Sequence, residues 1–374
     1  MKRIDRIGPL AAASLFAIAA AWAAAGAAFA DDGAKPEAAV SPMQRVAEAR
    51  DKAKAENPDG GDRVFGGTQA EKDAYPFQVA LLTTERLDES PASQSDAQFC
   101  GGSLIAPQWV LTAAHCLSED GGAIKPDSVT VLIGATNLQE GKRFKVAEVI
   151  VNENYSTNTL DNDLGLLRLA EPSDAPTIRI ARSAAPASGK TTVTGWGMMQ
   201  DGTFPNDLMV ADLDLEPNAA CNAGIKSIYA TDLKVALANM AGRMRYSEKG
   251  IEAGAEAIAA DMRDPLTDNM ICAGTTSGAR DACNGDSGGP LFVAGKDGPE
   301  QIGIVSWGEG PSDGTAACGH KDAYGIYTRL GNYLAWVDEK MNTAAPAPEP
   351  APAPEPAPNP PKQPALGTAQ KPKS

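Results

Sequence analysis

Ser287 lies in the string Asp281-Ala282-Cys283-Asn284-Gly285-Asp286-Ser287-Gly288-Gly289-Pro290, with a glycine on either side of the Asp-Ser pair. Glycines let a backbone turn sharply and bring bare N–H groups up to a developing oxyanion, as a serine nucleophile requires. Gly-Ser-Gly strings alone are common in loops. His115 ends the apolar run Leu111-Thr112-Ala113-Ala114-His115-Cys116, where a lone histidine is more often structural. Asp163 directly precedes the apolar run Leu164–Leu169, a place where a carboxylate can be buried and orient an imidazole. Taken singly it reads as a turn or capping aspartate. The chain has two histidines, His115 and His320, so imidazole-dependent chemistry has two candidates.

Together the three segments change the reading. In order (His, Asp, Ser) and in local sequence they resemble the trypsin-like, or chymotrypsin-family, serine proteases, over roughly residues 64–342. The resemblance implies that Ser287 attacks a carbonyl and that His115 takes its proton and later delivers it to the leaving amine. It implies that Asp163 fixes the His115 tautomer, and that the backbone N–H groups of Gly285 and Ser287 form an oxyanion hole.

Other landmarks follow from the same resemblance. Arg63-Val64-Phe65-Gly66-Gly67 is similar to the family's activation junction, with Phe65 where valine is usual. Cleavage after Arg63 would free the Val64 amine to pair with Asp286, which would otherwise be an uncompensated buried charge. Asp281 occupies the base of the primary specificity pocket. Gly308, in Ser306-Trp307-Gly308, and Gly325 match its small walls. Substrates are therefore expected to carry Arg or Lys before the scissile bond. Ala282 replaces a common serine, which favours a guanidinium over a compact ammonium. An enzyme with that preference could process its own Arg63.

The six cysteines leave their pairing open by count alone. The resemblance selects Cys100–Cys116, Cys221–Cys272 and Cys283–Cys318. Metal binding has little support, with no Cys-x-x-Cys pair, and no metal or cofactor is expected. The stretch between Cys221 and Cys272 departs from the family in its length. It forms an insert of about residues 222–265 beside the subsites for upstream substrate residues, and could narrow substrate choice, bind a partner or merely embellish the surface. A second extension, Glu309–Ala317, precedes Cys318. The loop after Gly134 lacks the acidic pattern of calcium-binding trypsins. Tyr324 stands where many relatives have proline, and tyrosine there accompanies sodium binding in some members. His320 has no partner motif and is expected on a surface loop.

The elements that must position these residues read as short strands. Apolar runs recur between turn residues at Phe77–Leu82, Ser103–Ile105, Trp109–Thr112, Val129–Gly134, Val146–Val151, Leu164–Leu169, Thr191–Gly195, Pro290–Val293 and Ile302–Trp307. That spacing is the signature of an all-β barrel or sandwich. The resemblance specifies two antiparallel Greek-key β-barrels with the site in the cleft between them. Helical composition is confined to the Asp232–Ala260 region and to Tyr333–Met341 at the end of the domain.

The flanks are distinct. Lys2, Arg3 and Arg6 precede an Ala-rich apolar run, and Ala28-Phe29-Ala30 supplies a small-x-small site, so residues 1–30 read as a signal peptide. A retained membrane anchor is the alternative. Residues 31–63 are polar and cysteine-free, ending in a Pro- and Gly-containing strip before Arg63, and read as a propeptide. Residues 343–374 alternate Pro with Ala and Glu before thinning into Lys and Gln, an extended, unpacked tail.

The net charge of −15 argues against nucleic acid as a partner. The expected protein is a monomeric zymogen, exported to the medium or, alternatively, kept in the periplasm or cell envelope. Its partners would be protein or peptide substrates and protein inhibitors. A binding protein on a protease scaffold, and a protease whose inserts restrict its specificity, are the competing readings.

Overall fold

The structure is a computed structural model that describes residues 41–56 and 67–343, apart from 184, 185, 187, 279 and 313–317. The segment read as a signal peptide, the Arg63-Val64 junction and the Pro/Ala-rich stretch from residue 344 lie outside the described residues.

Twelve strands build two barrels. The first holds β1 (Gln78–Thr83), β2 (Gln98–Ala106), β3 (Trp109–Thr112), β4 (Val129–Ile133), β5 (Lys142–Val151) and β6 (Gly165–Leu169). They close in the order β1-β2-β3-β6-β5-β4. The second holds β7 (Gly189–Gly195), β8 (Met209–Glu216), β9 (Met270–Gly274), β10 (Pro290–Gly295), β11 (Gly298–Trp307) and β12 (Gly325–Arg329). Its order is β8-β7-β10-β11-β12-β9, and β8 pairs with β9 to close the ring. In both barrels the fourth strand returns beside the first, which is the Greek-key arrangement. Closure removes the exposed sheet edges that a short-stranded protein would otherwise present.

Each barrel is filled by its inward-facing apolar residues. Val79, Leu81, Leu104, Leu111, Val131 and Leu166 are fully buried in the first. Leu213, Ala273, Leu291 and Tyr327 are fully buried in the second. Between the barrels, buried polar side chains pair: Thr194 Oγ1 donates to Gln78 Oε1 at 2.7 Å, and Ser103 Oγ to Gln301 Oε1 at 2.7 Å. Such paired groups specify one mutual placement, because an unpartnered member would keep its full desolvation cost.

Among the described residues four longer helices and one short one, Ser93–Ala97, decorate the barrels. Helix α1 (Pro42–Glu56) lies within the segment read from sequence as a propeptide, where no helix was expected. Ser41 caps it, with Gln44 N donating to Ser41 Oγ, and Pro42 follows in the first turn where its missing N–H costs nothing. The insert is a pair of packed helices, α2 (Asn218–Met244) and α3 (Glu248–Asp261). Arg245, at φ 57° in the left-handed region, ends α2, and Ser247 Oγ accepts from Gly250 N to start α3. Helix therefore begins before Cys221 and breaks once, where composition suggested one stretch from Asp232. Among the described residues, every large exposed hydrophobic is on this hairpin. Helix α4 (Leu334–Thr343) closes the domain.

Candidate active site

A cleft of about 660 Å³ opens between the barrels, and His115, Asp281, Ser287, Ser306, Trp307, Gly308 and Gly325 all line it. The first barrel supplies His115, in the single turn after β3, and Asp163, just before β6. The second supplies Asp281 to Ser287 on the loop before β10, and Ser306 to Gly308 at the end of β11.

Asp163 is completely buried and fully engaged. Its Oδ2 lies 2.7 Å from His115 Nδ1, and its Oδ1 accepts from His115 N at 2.8 Å. Two hydroxyls from the other barrel complete the grip. Ser306 Oγ donates to Asp163 Oδ2 at 2.5 Å, and Thr328 Oγ1 to the Asp163 carbonyl at 2.6 Å. A carboxylate held this way favours the tautomer with the proton on Nδ1, and Nε2 lies 3.7 Å from Cys116 Sγ. Leu160 and Asn162 take left-handed φ values of 53° and 58° in the loop that delivers Asp163. Non-glycine residues adopt such backbone where surrounding contacts enforce it. Here Tyr333 Oη donates to Asn162 Oδ1 at 3.0 Å.

The serine loop is fixed by its own main chain. Gly101 N, from β2, donates to the Ser287 carbonyl at 2.7 Å, and Gly288 N to the Val305 carbonyl at 2.8 Å. Gly285 (φ 100°) and Gly288 (φ 82°) occupy backbone that L-residues rarely adopt. Asp286 points inward and accepts from Gly197 N at 2.7 Å and Cys283 N at 2.9 Å. Burial raises its pKa to about 6, against those two donors and the attraction of Arg50.

Asp281, 8% exposed, is among the residues that line the cleft. It accepts from Ala282 N at 2.8 Å and Gly319 N at 3.0 Å. Burial pushes its carboxyl up to about 7, opposed by these donors and reinforced by the charge of Asp286. A buried carboxylate with a raised pKa gains strongly from an arriving cation. The Tyr327 hydroxyl beside it is buried with no partner among the described residues. At Gly308 a Cβ would meet nothing within 4 Å, whereas at Gly325 it would come within 2.5 Å of Asp281 Oδ1.

The disulfides are Cys100–Cys116, Cys221–Cys272 and Cys283–Cys318. The first joins the His115 turn to β2, and the third joins the serine loop to the Gly319 segment that touches Asp281. Cys100 and Cys116 also lie close to His115, but their sulfurs are consumed in the disulfide. His320 is half-buried rather than on the surface, its Nδ1 accepting from Asp322 N at 3.2 Å.

The insert reaches the site. Tyr229 Oη of α2 donates to Glu309 Oε2 at 2.8 Å, next to Gly308; just past the insert, Thr267 Oγ1 donates to Asp161 Oδ1 at 2.9 Å, within the Asp163 loop. Sequence reasoning did not find Thr328, Tyr327 or the Tyr229–Glu309 contact. Thr328 and Tyr229 are hydroxyls whose partners are remote in sequence, and Tyr327 has a buried hydroxyl without a partner among the described residues; none carries a local signature.

The two barrels and their cleft define the architecture of a chymotrypsin-type serine hydrolase. The Trypsin family model matches residues 64–337, and the chain belongs to that family. It is 30% identical to the trypsin of Sus scrofa over 293 residues, covering 76% of this chain and 97% of that protein. It is 31% identical to vitamin K-dependent protein C of Rattus norvegicus, over 74% of this chain and 51% of that protein. Against tissue-type plasminogen activator of Homo sapiens the identity is 31%, over 75% and 45%. The chain thus spans about half the length of the last two relatives. No described helix is long and apolar enough to cross a membrane.

Proposed function

We propose that this protein is an exported serine endopeptidase, made as a zymogen, that cleaves peptide bonds after Arg and, less readily, Lys. One observation carries the reading: the completely buried Asp163 holds His115 Nδ1 in the cleft that Ser287 and the buried Asp281 also line. In the proposed reaction Ser287 Oγ attacks the scissile carbonyl and its proton passes to His115 Nε2. The oxyanion is met by the N–H groups of Gly285 and Ser287. The C–N bond then breaks, the proton goes to the leaving amine, and water, activated by the same imidazole, releases the acid from Ser287. The guanidinium of the residue before the scissile bond pairs with Asp281 between Gly308 and Gly325.

Residues 1–30 act as a signal peptide, 31–63 as a propeptide, 64–342 as the protease domain and 343–374 as a tail. The family match begins at Val64, in keeping with cleavage after Arg63. The new Val64 amine would neutralise Asp286, whose burial disfavours its charge. The helical insert adds a restriction, because its Tyr229 contact bears on the loop beside Gly308.

A fluorophosphonate that labels activated serines tests this reading. Labelling should appear at Ser287 only after Arg63 is cleaved, and should vanish in Ser287→Ala and His115→Ala. Equal labelling of the uncleaved chain would contradict the zymogen, and no labelling of the cleaved chain once freed of its N-terminal piece would contradict the nucleophile. A Ser287→Ala chain that matures as fast as the parent when expressed alone would contradict self-processing.

A further inference from the structure

Arg50, on the propeptide helix α1, is 4% exposed although it belongs to a segment that the proposed activation detaches. Its Nε donates to the Gln98 carbonyl at 2.9 Å, one terminal nitrogen donates to Gln98 Oε1, and the same nitrogen donates to the Trp196 carbonyl at 3.2 Å. The guanidinium stacks 4.2 Å from the centre of the Phe204 ring. Three acceptors and an aromatic face form a fork-shaped receptor that suits arginine and not lysine.

That receptor lies directly behind the serine loop. Gln98 Nε2 donates to the Gly285 carbonyl at 2.8 Å, and Gly197, next to Trp196, donates to Asp286. Burial disfavours the charge of Arg50, while Asp96 and Asp286 favour it. At the other end of the helix, Ser41, Pro42 and Arg45 line the cleft that holds His115 and Ser287. Val46 is buried in the first barrel's core. Asp51 pairs with Arg86 at 2.6 Å, and Lys54 with Asp96. Nothing covalent would hold the helix after cleavage, because the first cysteine of the chain is Cys100.

We infer that Gln98, the Trp196 carbonyl and Phe204 form a second guanidinium-binding site, distinct from the Asp281 pocket, whose ligand is an arginine presented on a helix. In the zymogen that ligand is Arg50. Through it helix α1 stays bound after Arg63 is cut, with Ser41, Pro42 and Arg45 against the cleft, so cleavage and release are separate steps of activation. The inhibitory part rests on the protease reading; the binding site does not.

The test uses the full chain with Ser287→Ala, in which a site for a protease that cuts after glutamine replaces residues 60–63. After cutting, gel filtration and mass spectrometry measure how much of the N-terminal piece co-elutes with the body. The piece should co-elute when Arg50 is intact, and Arg50→Met should weaken retention on the order of 100-fold. Arg50→Lys should recover only a small part of it. Loss of the piece from the parent on cutting, or equal retention by Arg50→Met, overturns the site. In the Ser287 chain cut the same way, removing the piece should raise hydrolysis of an Arg peptide at least about tenfold. An unchanged rate overturns the inhibitory role. If the protease reading itself fails, no peptide is cleaved with or without the piece, while co-elution still reports on the site.

Discussion

Ser306 Oγ, at the end of a second-barrel strand, donates to the same Asp163 Oδ2 that faces His115 Nδ1, at 2.5 and 2.7 Å. One carboxylate oxygen thus joins the imidazole of one barrel to a hydroxyl of the other. The Asp163–His115 geometry then depends on how the barrels dock, which the buried Thr194–Gln78 and Ser103–Gln301 pairs help to fix.

Removing that hydroxyl should weaken the imidazolium's support without unseating Asp163, which retains the His115 N–H. A hydrogen bond to a charged group contributes about 1.5–3 kcal/mol. Ser306→Ala should therefore lower kcat by roughly tenfold or more with little change in KM. Steady-state kinetics check this; an unchanged kcat would make Ser306 a bystander.

Gly308 opens onto the cleft and Gly325 abuts Asp281, so the two glycines respond differently to added bulk. Gly308→Val should fold normally, because a Cβ there meets nothing within 4 Å, yet it should abolish cleavage after Arg by filling the pocket. Gly325→Ala must displace the Asp281 carboxylate and should raise KM for Arg peptides by about tenfold. Circular dichroism melting and kinetics on the two variants separate these effects.

The pH dependence follows from the burial of Asp281, which brings its carboxyl up to about 7. Only the ionised form attracts a cation. The affinity of a small amidinium for the Ser287→Ala chain should climb as pH rises through about 7 and then level off. Titration calorimetry reads this without involving the nucleophile. Asp281→Asn should remove both the affinity and its pH dependence, and a flat profile in the parent would contradict the role of Asp281.

Tyr229 ties the insert to Glu309. Tyr229→Phe should change kcat/KM about fivefold for long peptides that extend upstream of the scissile bond, and leave a single-residue arginine ester within about twofold. Equal effects on both substrates would place the insert's influence on the pocket itself.

Much of this architecture was readable from local sequence. Trp109–Thr112 was predicted with the bounds it has, and eight other strands were found with their ends displaced. The runs around His115, Asp163 and Ser287 marked residues that the fold brings to one cleft. Three of the barrel strands were missed. Met270–Gly274 is short and rich in small residues, so closure of the barrel, rather than propensity, makes it a strand; Gly325–Arg329 carries the strand formers Ile326, Tyr327 and Thr328 but is only five residues long. Met209–Glu216 does alternate, with Ala211, Leu213 and Leu215 inward and acids between them, but that period was overlooked. Helix α1 was hidden for a different reason. Its docked face combines Val46 with a buried arginine, and a buried guanidinium has no signature until its acceptors, Gln98 and Trp196, are brought to it.

The central claim is an Arg-directed serine nucleophile, and hydrolysis of matched peptides ending in Arg, Lys or Phe tests it most directly. The protein should be shown by N-terminal sequencing to begin at Val64, and assayed beside its Ser287→Ala variant. The predicted result is cleavage after Arg, slower cleavage after Lys, none after Phe, and no activity in the variant. Failure of protein with that N-terminus to cleave any of the three, or equal cleavage by Ser287→Ala, would contradict it.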